Sequence, residues 1–148
     1  MYFPLQNTCA NVTPTIARPS PDSLYGISSS QQVAPNQSNV GSVYAIAVET
    51  GKTLWRYDQR AAVLSLLSTA GGLVFGGTRE GNVFALDATT GEPRWDFQAG
   101  GACVANPISY GVDGRQHVAL AMGQAVFVFA QAVSGPWRGL THGQAVMS

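Results

Sequence analysis

Charge is what this sequence has least of. Charged residues make up 11% of the 148 positions, under half the usual share of about 25%. Eight Lys and Arg stand against eight Asp and Glu, so the formal net charge is zero. A nucleic-acid groove or an anionic membrane surface as partner calls for a basic excess, and there is none. Cysteine is scarce too. Cys9 and Cys103 lie far apart, without a CxxC or CxxCH spacing, which argues against a structural zinc site or a covalent haem. The two read as buried thiols, and the sequence does not say whether they pair. No apolar run approaches the roughly 18 residues that span a bilayer. No signal-peptide pattern is visible, and the start, Met1 to Leu5, reads as an internal stretch of a longer protein. No segment has a convincing amphipathic helical period. "RAAVLSLLSTA", from Arg60, is helical only in composition. Flanked by strand patterns and followed by Gly-Gly, it reads as a buried strand and a loop.

Glycine is plentiful at 17 residues, and 45% of the chain is hydrophobic. Short apolar runs between glycines fit a β protein with many tight turns. A first strand runs from Met1 to Leu5 and ends near Asn7. From Thr13 to Asn39 the chain is rich in Ser, Pro, Gln and Asn and reads as a long surface loop with room for one short strand. Strands then follow in quick succession: "GSVYAIAV", "KTLWRYD", "GLVFGG", "NVFALDA", "EPRWDFQA", a pair around a turn at Val112 to Arg115, and "QAVFVFA". The tail after Ala130 has no clear period.

The informative feature is a repeat. "ALDATTGEPRW", Ala85 to Trp95, is a near-copy of "AIAVETGKTLW", Ala45 to Trp55, at a spacing of 40 residues. Gly41 to Trp55 and Gly81 to Trp95 share Gly, Val, Ala, Thr, Gly and Trp at equal positions. A weaker third unit, "HVALAMGQAVFVFA", lacks the Thr-Gly pair and the Trp. Antiparallel strands repeating every 40 or so residues point to β-propeller blades. Glycine suits the turn between two strands because it takes positive φ without strain. Trp55 and Trp95 read as wedges between neighbouring blades. The layout is a strand of a preceding blade at 1–12, a surface loop at 13–40, blades at 41–130 and a tail at 131–148. The fold class is all-β, a partial β-propeller.

The pattern Ala-x-Asp-x-x-Thr-Gly-x-x-x-Trp at Ala85 to Trp95 resembles the tryptophan docking motif of quinoprotein alcohol dehydrogenases. "YFPLQNTC", "GGLVFGG", "FALDATTG" and "NPISYGVDGRQHVALAMG" resemble the C-terminal part of that family, in this order, over Met1 to Ala130. The resemblance implies two to two-and-a-half blades of an eight-bladed propeller. It implies pyrroloquinoline quinone as cofactor and a calcium or lanthanide ion as Lewis acid. It also implies an alcohol substrate, a cytochrome c-type electron acceptor and a periplasmic setting. The general base and the metal ligands belong to earlier blades of the family, so neither a catalytic residue nor a metal ligand is expected in this chain. Asp22, Glu80, Asp87 and Asp113 read as solvated turn carboxylates.

By the same resemblance Asn7 matches the asparagine that hydrogen-bonds the quinone. The other reading is a turn residue closing a strand. Val104 falls where the family places an apolar residue near the cofactor, or is a plain core valine. At "RAAVLSLLSTAGG" the sequence departs from the family, many members of which carry Trp-Gly-Gly there. Leu64 and Ser65 take that place after Val63, and Ser65 offers a hydroxyl instead of a ring. His117 reads as structural, and His142 has no partner by spacing.

Two other functions compete: a non-enzymatic propeller acting as a scaffold, and a short interaction module completed by oligomerisation. In either the repeat needs neighbours, since a few blades leave apolar faces uncovered. The expected outcome for the isolated 148-residue chain is aggregation or a broad, non-cooperative melt in calorimetry. A sharp cooperative transition of a monomer contradicts this.

Overall fold

The computed structural model describes residues 1–14 and 27–130. Among the described residues twelve strands run in chain order: β1 Tyr2–Gln6, β2 Thr8–Pro14, β3 Ile27–Val33, β4 Gly41–Ile46, β5 Thr53–Gln59, β6 Val63–Ser68, β7 Leu73–Thr78, β8 Asn82–Asp87, β9 Pro93–Gln98, β10 Ile108–Val112, β11 Arg115–Met122 and β12 Ala125–Ala130. They form a four-stranded meander β6-β7-β8-β9, flanked by the three-stranded sheets β1-β4-β5 and β10-β11-β12, with β2 and β3 as a separate hairpin. Three, four and three strands amount to two and a half blades of four. Residues 60–70, the one stretch of helical composition, carry β6 as an edge strand.

The central blade explains the runs of apolar residues. Successive side chains of a strand point to opposite faces. In β8, Val83 and Ala85 join a core with Cys103, Val118, Leu120, Met122 and Phe129. Phe84 and Leu86 join a second core with Val43, Ala45, Trp55 and Val63. Both faces of β8 are covered, so its period-two alternation vanishes into a continuous run. Gly76 and Gly77 sit mid-strand in β7 for the same reason. A Cβ on Gly76 would meet the Phe84 ring, and one on Gly77 would meet the Cys103 sulfur. Close approach from both sides leaves room only for hydrogen.

The repeated turn and tryptophan form the blade contact. Trp55, on β5, is 8% exposed. Its ring lies on Gly91 of the next blade, where an added Cβ would stand 2.6 Å from Trp55 Cδ2. Its Nε1 donates to the Ala88 carbonyl at 3.0 Å. Tyr2 stacks on Trp55 with ring centroids 5.7 Å apart and donates its hydroxyl to the same carbonyl at 2.9 Å. Burying a ring of this size is worth about 3–5 kcal/mol, against about 1 kcal/mol for the hydrogen bond. Packing therefore supplies the stability and the hydrogen bonds set the ring's orientation. Trp95 also packs against the following blade, but on a ring instead of a turn glycine, edge-to-face with Phe129 of β12 at 4.7 Å.

The turn itself is built by its sequence. Gly91 has φ +75°. Asp87 Oδ1 accepts from the Thr89 and Thr90 amides at 2.9 and 3.0 Å. The Arg94 guanidinium, then those amides, hold the Asp87 carboxyl below its ordinary range. Asp87 is thus a turn carboxylate. So is Asp113, at φ 50° in the turn between β10 and β11, and Glu80, paired with Arg60 at 3.2 Å on the surface. Asp22 and His142 lie outside the described residues.

Three assignments differ from the sequence reading. β1 is not a strand of a preceding blade: it pairs antiparallel with β4, Tyr2 opposite Ala45 through Gln6 opposite Gly41. The segment between them is not a plain loop, because β2 and β3 pair over Thr8–Pro14 and Ile27–Val33. Cys9 is exposed on that hairpin while Cys103 is buried, and both are free thiols. The first difference arises because a strand's partner is not written in its local pattern. The second arises because nearly every residue of the hairpin is exposed, so no face is marked by apolar alternation.

Gly91→Ala forces a methyl into the Trp55 ring and a non-glycine residue into positive φ. The expected loss is about 2–3 kcal/mol. Gly51→Ala is the control: φ is +68° and nothing lies within 4 Å of the new methyl. It keeps the backbone strain alone, of about 1 kcal/mol. Equal losses of thermal stability in the two variants contradict the docking account.

Candidate functional site

The cofactor candidates fall on successive elements of the chain. Asn7 follows β1, whose last residue Gln6 pairs with Gly41. Gly41 packs so closely on the Ala61–Val63 backbone that an added Cβ would stand 3.0 Å from Val63 N. Val63 opens β6 and pairs with Thr78. The Thr78 carbonyl accepts from the Cys103 amide at 3.1 Å. Asn7, Leu64, Ser65 and Val104 are thereby linked through one continuous chain of backbone contacts.

Leu64 sits at a break in register between Val63 and Ser65. A bulge at an edge strand re-aims a side chain, and Leu64 is only partly buried. Ser65 is buried and donates its hydroxyl to the Ala105 carbonyl at 3.0 Å. That hydrogen is spent on a strut to the next blade. Val104 is 68% exposed between Cys103, which is fully buried, and Ala105, held by Ser65. It is not a core valine.

Asn7 is pinned on both sides of its backbone. Its amide donates to the Val40 carbonyl at 2.7 Å, and its carbonyl accepts from the Ala34 amide at 2.9 Å. Its side-chain Nδ2 donates to Ser42 Oγ at 3.0 Å and to the Asn39 carbonyl at 3.3 Å. Sequence reasoning missed Asn39, Ser42 and Asp58, which gather behind Asn7. A signal was there. Ser42 and Asp58 face each other in register, while the equivalent pair one repeat later is Asn82 and Gln98.

His117 stacks on Tyr110 at 5.3 Å and contacts the Arg115 carbonyl through Nδ1 at 3.2 Å. It has a structural explanation. Burial pushes the Cys103 thiol up, away from thiolate chemistry. Among the described residues, no three His, Cys, Asp or Glu side chains gather to hold a metal ion. No helix among the described residues is long and apolar enough to cross a membrane.

Blades joined by a tryptophan on a Thr-Gly turn define a β-propeller sector of the quinoprotein type. The family model described as outer membrane protein assembly factor BamB matches residues 28–136, and the chain belongs to that family. Among curated proteins it resembles quinoprotein alcohol dehydrogenases. It is 39% identical over 88 residues to a quinoprotein ethanol dehydrogenase of Pseudomonas putida, covering 59% of this chain and 14% of that protein. Among solved structures, a europium-containing methanol dehydrogenase matches with TM-score 0.71 and 30% identity, over 80% of this chain and 22% of its own. The quinohemoprotein alcohol dehydrogenase of Comamonas testosteroni matches with TM-score 0.71 and 25% identity, over 98% of this chain and 25% of its own. The chain thus spans a quarter or less of these relatives.

Ser65→Ala leaves the Ala105 carbonyl with only the weak Cys103 thiol donor at 3.6 Å. The expected cost is about 1–3 kcal/mol, with faster amide hydrogen exchange across residues 103–106. Unchanged exchange there means that Ser65 does not hold the Val104 segment.

Proposed function

We propose that this chain is a sector of a pyrroloquinoline-quinone-dependent alcohol dehydrogenase. It supplies blade scaffold and one wall of the cofactor pocket. The observation that carries the reading is Val104, exposed on a backbone fixed by Ser65 and Thr78, together with Leu64 and the pinned amide of Asn7. Two apolar side chains and one amide suit the wall of a flat ring system with polar edges. They do not suit a hard cation, which takes several oxygen ligands. The calcium or lanthanide ligands and the general base therefore belong to other parts of the whole enzyme. When bound, the quinone supplies the hydride acceptor for alcohol oxidation. This chain's residues bind and orient it and keep water from one face. Similarity to ethanol, methanol and quinohemoprotein dehydrogenases supports an alcohol as substrate, a cytochrome c-type acceptor and a periplasmic location.

A second reading is a non-enzymatic propeller that scaffolds other proteins, favoured by the description of the matched family model. The two separate on one experiment. The protein at its natural length is loaded with pyrroloquinoline quinone and calcium or a lanthanide, and alcohol-dependent dye reduction is measured. The enzyme reading expects reduction by the whole protein and none by the 148-residue chain alone. A whole protein that binds no quinone and reduces no dye supports the scaffold. Turnover by the short chain contradicts the assignment of base and metal ligands elsewhere.

A further inference from the structure

The β2–β3 hairpin stands apart from the blades. The two strands form a sheet of their own, and neither contributes to the two apolar cores. The side chains of Cys9 to Pro14 and of Ser28 to Val33 are exposed. Two strands alone are marginally stable in water. Yet the root of this hairpin is clamped. Asn7 and Asn39, on its two sides, both donate from Nδ2 to Ser42 Oγ, at 3.0 and 2.9 Å. Ser42 is fully buried and donates in turn to Asp58 Oδ1 at 2.8 Å. A bare hairpin held firmly at its base is placed to meet something else.

Its free edge is undefended. Among the described residues no strand pairs with β3 on the side away from β2. Exposed edges are normally blunted by charge, proline or a bulge, because their unpaired amides and carbonyls recruit other strands. The strands β5 and β9, which end their sheets, carry charge: Arg56 and Asp58 on one, Arg94 and Asp96 on the other. β2 ends in Pro14. β3 has neither charge nor proline, and its ladder with β2 runs without a register shift.

The order of its residues shows which partner fits. Ser28 to Gln32 reads Ser-Ser-Ser-Gln-Gln. Each of these side chains both donates and accepts hydrogen bonds. Two identical strands that pair antiparallel are related by a two-fold axis. With the axis at Ser30, that residue meets Ser30 of the second copy. Ser29 then meets Gln31, and Ser28 meets Gln32. Every pair is hydroxyl on hydroxyl or hydroxyl on amide, and no like charges meet.

We propose that β3 is a dimerisation edge. Two copies of the protein join their hairpins into one four-stranded antiparallel sheet, in the order β2-β3-β3-β2, centred on Ser30. The pairing supplies the further strands that a lone hairpin lacks. A strand edge is small beside the ~1,200 Å² of a stable interface, so the dimer depends on concentration. The inference stands apart from the enzyme reading and holds equally for a scaffold.

The test is disulfide trapping in the protein at its natural length, in a Cys9→Ser background. Residues directly opposite on antiparallel strands have Cα atoms about 4.5–5.5 Å apart, which suits a disulfide. Ser30→Cys is expected to give a covalent dimer on mild oxidation. Ser28→Cys alone is not, because its mate on the second copy lies about 13 Å further along the strand. Ser28→Cys mixed with Gln32→Cys is expected to crosslink. Sedimentation of the Cys9→Ser protein is expected to show a monomer–dimer equilibrium. Ser30→Lys sets two like charges face to face and is expected to weaken it about fivefold. A monomer at every concentration reached overturns the proposal, as does equal trapping of Ser28→Cys and Ser30→Cys. A monomer whose β3 amides exchange slowly with solvent also overturns it, and assigns that edge to another segment of the same protein.

Discussion

The contact of Trp55 with Gly91 governs the rest of the structure. A large ring must lie flat on a backbone in the next blade, so the receiving residue must be glycine. The receiving turn must also present a carbonyl to the indole N–H. The two units that carry the Thr-Gly turn each end in a tryptophan, Trp55 and Trp95, and this is why the sequence repeats at a spacing of 40 residues. Blades stacked in this way bury both faces of the middle one. Apolar runs such as Val83 to Leu86, and the glycine pair of β7, follow from that stacking. The scarcity of charge follows too, since a blade held between neighbours has few positions where a charge stays hydrated. Gly51 shows the interface from its other side. It has the same positive φ as Gly91, yet no atom lies within 4 Å of the place its Cβ would take.

Much of this was legible in the sequence because the repeat doubles every local signal. The Thr-Gly turns, the strands between them and the wedge role of Trp55 and Trp95 all follow from pattern and residue chemistry. Non-local facts were not legible. β1 pairs with β4 across an insertion of more than thirty residues, and no property of "YFPLQ" names that partner. β3, "ISSSQQV", is a strand without apolar alternation, held by its ladder to β2. Cys9, on the same hairpin, is exposed for the same reason. The turn carboxylates were readable because Asp and Glu beside glycine have an ordinary role in turns.

The candidate site divides along the same line. Asn7, Leu64, Ser65 and Val104 could be nominated from sequence, but not what each side chain does. Ser65 looked like a hydroxyl for a ligand and instead braces Ala105, which leaves Val104 exposed. Asn7 looked like a lone amide. Behind it stand Asn39, Ser42 and Asp58, distant in sequence and brought together by the β4–β5 register. Such a cluster shows in the sequence only as a departure of one repeat from the next, and that departure has no meaning until the register is known.

The account treats this chain as a sector whose outer blades are completed by the rest of a larger ring. The most direct test is the mass of the protein in its source, by immunoblot with an antibody against residues 71–91. The account predicts a band several times the 15.5 kDa of this chain. A band at 15.5 kDa, from a protein that sediments as a folded monomer, would contradict it.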